Sequence, residues 1–170
     1  MPEEGRIVLR AARAGDAPLM QRIGISAYWS NFETLEPGAS AVAGYRQGVE
    51  AMFEADGRNL WPHSLIAEID GVAAGWGSRA AGQPEIAELW VAADRQGRGI
   101  GSALIARFLS DIAAEGHAAA EIVTHRRNAA AIRLYQRNGF VAAEERSRPS
   151  KLGRQIPLVV LRRRLRPAHG

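Results

Sequence analysis

Apolar and polar positions alternate with different periods along the chain, and each period predicts an element. "RIVLRAA", Arg6 to Ala12, has the β-branched and apolar character of a first strand. In "AGDAPLMQRIGISAYW", Asp16 stands as an N-cap with Pro18 just inside a helix. A second helix is predicted over Ala39 to Phe53, with Gly57 and "RNLWPHS" breaking it. "SLIAEIDGVAAGWGSRA" sets Asp70-Gly71 between two strand-like runs, the signal of a hairpin. "PEIAELWVAADRQ" reads as a fourth strand that starts after Pro84 and fades at Ala92. Leu104, Ile105, Phe108, Leu109 and Ile112 then recur at helical spacing until Gly116 closes that helix. "AAAEIVTH" is a fifth strand, and Asn128 caps a helix that ends at Asn138 in "NGF". "FVAAEERS" and "QIPLVVLRRR" supply two last strands around the polar loop "RPSKLG".

This order predicts an α/β (α+β) fold: a mixed, mostly antiparallel seven-stranded sheet with helices on both faces. Strands four and five are joined through a helix, so they should lie parallel with a right-handed crossover. No repeat, linker or second domain is visible, and residues 1–170 are expected to form one domain with its core over about 6–164.

Hydrophobic residues make up 46% and charged residues 24%, as in a soluble globular protein. No apolar run approaches the roughly 18 residues a membrane span needs. "MPEEGRIVLRAARAGD" is acidic where a secretory signal would be basic, so a cytoplasmic setting is expected. The chain has no cysteine, which excludes disulfides, thiolate zinc sites and a cysteine nucleophile. The net charge of +4 is carried almost wholly by arginine, Lys151 being the only lysine. Arginine suits phosphate and carboxylate partners, although a biased genomic composition would enrich it equally. In the tail "LRRRLRP", alternation puts Arg162 and Arg164 on one face and Arg163 on the other, with no aromatic stacking pattern. That reads as a solvated strand end, and no nucleic-acid partner is expected.

"ADRQGRGIGSALIARF", from Ala93 to Phe108, concentrates glycine where the third helix begins. The first four N–H groups of a helix lack intrahelical partners, and the peptide dipoles place about half a positive charge there. Gly97, Gly99 and Gly101 would let an anion approach those groups, with Gln96, Arg98 and Ser102 at the rim. A tight strand-to-helix turn is the plainer reading of glycines taken alone. The P-loop and dinucleotide fingerprints do not fit this spacing.

"Gln96-Gly97-Arg98-Gly99-Ile100-Gly101" after "ELWV" resembles the Gln/Arg-x-x-Gly-x-Gly/Ala signature of the GNAT superfamily of acetyl-CoA-dependent N-acetyltransferases, and "NAAAIRLYQRNGF" is similar to its second cofactor segment. The resemblance implies the GNAT-like fold, with strands four and five splayed, and acetyl-CoA as cosubstrate with no metal. It also implies the N–H groups of residues 97–101, together with Ser102, around the pyrophosphate, and Leu89, Trp90 and Val91 alongside the pantetheine. Asn128 would contact the pantetheine or the helix start, Ala130 and Ala131 would let the cofactor pass closely, and Tyr135 would stand near the sulfur.

Acetyl transfer needs a neutral amine, a held thioester, stabilisation of the developing oxyanion and a proton for the departing thiolate. Tyr135 is the candidate acid and Glu88 the candidate base, directly or through water; Glu85 is the alternative base. The N–H of Val91 would polarise the thioester carbonyl. By helical position alone Tyr135 would pack against the sheet, and its place in the "NAAAIRLYQRNGF" segment reverses that preference; for Glu88 a surface carboxylate or an arginine's salt-bridge partner is an equal alternative. Tyr28, Trp29, Phe32 and Trp61 are candidates for the acceptor wall against core packing, and His63 is a further loop base. Arg126 and Arg127 stand near the expected adenosine phosphate. The expected activity is direct acetyl transfer to a small-molecule or peptide amine in a ternary complex, with a homodimer as one arrangement. The competing reading is a non-catalytic acyl-CoA-binding or interaction module.

Overall fold

The residues read as one fourth strand form two elements, because the chain changes partners at Ala87. A computed structural model describes residues 5–150 and 154–166. The elements run β1 (Ile7–Ala11), α1 (Ala17–Leu35), α2 (Tyr45–Leu60), β2 (Ser64–Ile69), β3 (Val72–Ser78), β4 (Glu85–Ile86) and β5 (Glu88–Val91). They continue with α3 (Ile100–Ala114), β6 (Ala119–His125), α4 (Ala129–Arg137), β7 (Val141–Pro149) and β8 (Gln155–Arg164). Lys151, in the loop between the last two strands, lies outside the described residues.

The mixed α/β architecture is present, but in place of one seven-stranded sheet there are two four-stranded sheets, ordered β1-β2-β3-β5 and β4-β6-β8-β7. β4 pairs parallel with β6, Glu85 opposite Glu121 and Ile86 opposite Ile122. β5 pairs antiparallel with β3 only. Ala87 N–H bonds Ser78 O at 2.9 Å although Ser78 stands in register with Glu88. Two residues thus oppose one, a β-bulge that bends the strand away from β6.

Asp70 and Gly71 both take positive φ between β2 and β3, as the hairpin pattern predicts. The second helix differs from its sequence pattern. Ala39–Ala41 is only a 3₁₀ turn, and α2 continues through Gly57 to Leu60. A Cβ on Gly57 would lie 2.5 Å from Ala17 O, so this glycine is where α2 crosses α1 rather than where it stops.

Helices lie on both sides, α3 and α4 on one and α1 and α2 on the other, where they cover the first sheet. Leu104, Ile105, Phe108 and Ile112 of α3, none more than 3% exposed, pack with Ile86, Ile122 and Leu161. Burying each such side chain contributes about 1.5–3 kcal/mol. On the opposite face Met20, Ile23 and Phe53 of α1 and α2 pack on Ile66 and Trp76, whose indole N–H bonds Met20 O at 2.9 Å. Among the described residues, no helix is long and apolar enough to cross a membrane.

Candidate active site

The split at Ala87 opens a cleft of about 670 Å³ between β5 and β6, closed at one end by the start of α3 and flanked by α4. Its β5 wall is an unpaired strand edge. Glu88 and Trp90 stand in register with Ser78 and Trp76, and Ala92 N–H bonds Ala74 O at 2.9 Å. Alternation therefore turns the main-chain groups of Leu89 and Val91 away from β3 and into the cleft. Gln96 Nε2 already donates to Val91 O at 3.2 Å and to Ser30 Oγ at 3.3 Å.

Gly97 and Gly99 have φ of +75° and +80°, and Gly99 is the N-cap of α3. Among the described residues, chain neighbours apart, no atom lies within 4 Å of where a Cβ on Gly97 would stand, and one on Gly99 would meet only Ile7 Cδ1 at 3.8 Å. The first helical bond runs from Ala103 N–H to Gly99 O, so the N–H groups of Ile100, Gly101 and Ser102 precede the helical ladder. Gly101 does a different job: its Cβ would meet Leu134 at 2.8 Å, so its absence lets α3 and α4 touch. This loop and the free β5 edge suit a phosphate-bearing thioester with an extended polar arm.

Across the cleft Asn128 caps α4, its Oδ1 accepting from Ala131 N–H at 3.2 Å and from Asn31 Nδ2 at 3.1 Å. Ala130, Ala131 and Tyr135 also line this wall. Tyr135 is buried, and no hydrogen bond to its hydroxyl is formed among the described residues. Burial holds its phenol well above the ordinary value, and the nearby Glu88 charge adds to that.

Glu88 stands half-buried in the cleft and takes the Trp90 indole N–H at 2.6 Å. Burial pushes its carboxyl up to about 7; the Trp90 bond and Arg148 pull it down, while Asp56 and Glu85 push it up. No arginine forms a salt bridge with it among the described residues. The result is a carboxyl poised near neutrality.

The cleft thus gathers Glu88, Leu89, Trp90, Val91, Gln96, Gly97, Gly99, Ile100, Gly101, Ser102, Asn128, Ala130, Ala131 and Tyr135. Arg98 is exposed and outside its lining. The four aromatic residues expected at the acceptor wall are not among its lining. Phe32 is 2% exposed, Tyr28 stacks on it at 5.2 Å and bonds Tyr45 through their hydroxyls at 2.7 Å, and Trp29 meets Phe32 at 4.6 Å. Trp61 packs against the same core, and His63 is exposed outside the cleft. Arg126 is held by Glu145 at 3.1 Å, whereas Arg137, which the sequence did not single out, lines the cleft. Ser30, Asn31 and Thr124 were also missed; no local pattern marks them, because helix and strand packing alone brings them here.

A split sheet with a free strand edge facing a glycine-opened helix start defines an acyl-CoA N-acyltransferase type of fold. Residues 26–140 match the model of the acetyltransferase (GNAT) family, and the chain belongs to that family. No curated protein matches the chain significantly. Solved structures do: a GCN5-related N-acetyltransferase from Rhodopseudomonas palustris has 21% identity and a TM-score of 0.74, covering 93% of this chain and 95% of its own. The ribosomal-protein-S18-alanine N-acetyltransferase from Escherichia coli has 20% identity, a TM-score of 0.66 and coverage of 97% of each chain. The paia N-acetyltransferase from Thermoplasma acidophilum, solved in complex with coenzyme A, has 15% identity and a TM-score of 0.63, covering 94% of this chain and 99% of its own.

Proposed function

We propose that this acetyltransferase-family chain moves the acetyl group of acetyl-CoA to a primary amine by direct attack in a ternary complex, in the cytoplasm. The observation that carries this reading is one cleft holding both the bare start of α3 and two opposed proton-handling groups, Glu88 and Tyr135. Acetyl-CoA supplies an activated acetyl group as a thioester. The N–H groups from Gly97 to Ser102 bind its pyrophosphate, with Arg137 beside them, and the Leu89 and Val91 edge aligns its amide arm. Holding two reactants in one geometry supplies on the order of 7–11 kcal/mol in favourable cases.

Glu88 accepts a proton from the incoming ammonium, directly or through water, and its near-neutral pKa makes that transfer feasible at pH 7. Val91 N–H, on the cleft side of β5, donates to the carbonyl oxygen as charge builds on it. Tyr135 stays protonated and provides the proton for the departing sulfur.

The test is calorimetric titration with acetyl-CoA, followed by thiol release over a panel of amines. Saturable binding with amine-dependent release supports the reading. Binding without release from any amine would replace it with a non-catalytic acyl-CoA module.

A further inference from the structure

Resting on that acetyltransferase reading, we propose that the acceptor is a small amine bearing its own carboxylate, with the amine toward Glu88 and the carboxylate held by Arg148. The aromatic side chains of α1 and α2 are committed to one another, so recognition falls to the other side of the cleft mouth.

That side is the face of the second sheet turned away from α3 and α4. Ala120, Ile122, Val159 and Leu161 face the core under α3 and α4, so alternation turns His125, Leu158, Val160 and Arg162 to the opposite face. Register carries Arg146 and Arg148 there, because Leu158 pairs with Arg146 and Ile156 with Arg148. Glu88 belongs to the same side: Trp90, two residues on, packs with α1 and α2, while Leu89 and Val91 pack with the α3 core. α1 lies over β3 and β5, and no helix packs in that way on this face of β6, β8 and β7.

The charges on this face are unevenly matched. Arg162 binds Glu121 and Glu144, and Arg146 binds Glu144 at 2.7 Å. Arg148 is exposed and has no carboxylate partner among the described residues. Its charge nevertheless acts on Glu88 of β5, Tyr28 of α1 and His125 of β6, which places it over the mouth that these three elements frame. Asp56 and Glu85 also act on Glu88, and Glu36 acts on Tyr28 and His125. Two further carboxylates, Asp56 and Glu85, thus act on Glu88 at the amine end, and the Arg148 guanidinium, with no salt bridge of its own among the described residues, reaches the same mouth from β7. Ile156 and Leu158, half-buried, offer an apolar surface between the two.

An acceptor with an ammonium at one end and a carboxylate at the other matches both poles. Guanidinium is suited to the second, since it binds carboxylate through two parallel N–H bonds. A simple monoamine leaves Arg148 unmatched, and a polyamine sets a cation against it.

The experiment compares thiol release for the standard amino acids with release for their carboxamides, using wild type, Arg148→Gln and Arg148→Lys, with acetyl-CoA binding measured alongside. At least one free amino acid should exceed its amide by about tenfold or more in kcat/KM. Arg148→Gln should abolish that preference through KM, Arg148→Lys should restore part of it, and acetyl-CoA affinity should not change. Equal rates for acid and amide, acetylation of amides or peptides alone, release from neither series, or an unchanged preference in Arg148→Gln would each overturn the proposal. Absence of acetyl-CoA binding by wild type would instead bring down the acetyltransferase reading beneath it.

Discussion

The indole N–H of Trp90 donates to Glu88 Oε2 at 2.6 Å, two residues apart on one face of β5. Burial raises the Glu88 carboxyl to about 7, and this bond restrains the rise by favouring the charged form. As the proposed base, Glu88 must be ionised, so kcat/KM should climb with pH and level off above about 7. Trp90→Phe removes the donor, and the acid limb should move roughly 0.5–1 pH unit higher. Glu88→Gln should remove the limb and lower turnover about 10²–10⁴-fold. A pH profile of thiol release for the three proteins decides this, and an unmoved limb in Trp90→Phe would assign the titration to another group.

The same shift has a stability consequence. A carboxyl whose folded pKa is raised binds its proton more tightly in the folded state, so its contribution is complete below the unfolded value of 4.5 and is lost as pH rises through about 7. Glu88→Gln, which stays neutral, should therefore be more stable than wild type at pH 8 and close to it at pH 4.5. A gain of about 1 kcal/mol corresponds to roughly 2–4 °C in a chain of this size. Thermal melts at the two pH values read it directly.

Tyr135 has the complementary role in the proposed transfer. Burial and Glu88 hold its phenol protonated, and its hydroxyl makes no hydrogen bond whose loss would strand a partner among the described residues. Tyr135→Phe should therefore lower kcat about 10²–10⁴-fold while leaving acetyl-CoA affinity nearly unchanged. Equal losses in affinity and turnover would mean that the ring positions the thioester instead.

Which parts of this site were legible follows from whether their causes are local. Gly97 and Gly99 answer to positive φ, and Asn128 to a capping bond three residues on, so chain spacing alone exposes them. The bulge at Ala87 depends on which strand lies on each side, and a single continuous apolar run hides it. Gly57 reads as a breaker until Ala17 O is seen where its Cβ would stand. Tyr28, Trp29, Phe32 and Trp61 have the composition of a binding wall, and only the structure shows the first three in contact with one another and Trp61 packed on the α1 and α2 core. Arg137, in the last turn of α4, looks like any cation at a helix C-terminus.

Arg137 and Arg126 should separate accordingly. Arg137 lines the cleft, while the Arg126 guanidinium is held by Glu145. Arg137→Ala should weaken coenzyme A binding roughly three- to tenfold, more at low salt than at high salt. Arg126→Ala should stay within about twofold, since its exposed ion pair contributes little. Calorimetry at two salt concentrations tests the pair.

Gly99→Val combines two effects that a matched control can divide. At φ +80° a β-branched residue strains the backbone by roughly 1–2 kcal/mol, and its side chain also occupies the approach to the first N–H groups of α3. Gly116, at the other end of α3, has φ +86° and open space where a Cβ would stand, but it does not line the cleft. Gly116→Val should therefore lose similar thermal stability, about 2–4 °C per kcal/mol, and keep its coenzyme A affinity. Gly99→Val should lose the same stability and, in addition, about tenfold or more in affinity. Equal affinity in the two variants would show that these glycines serve only to turn the chain, and the phosphate site would have to be sought elsewhere along the cleft.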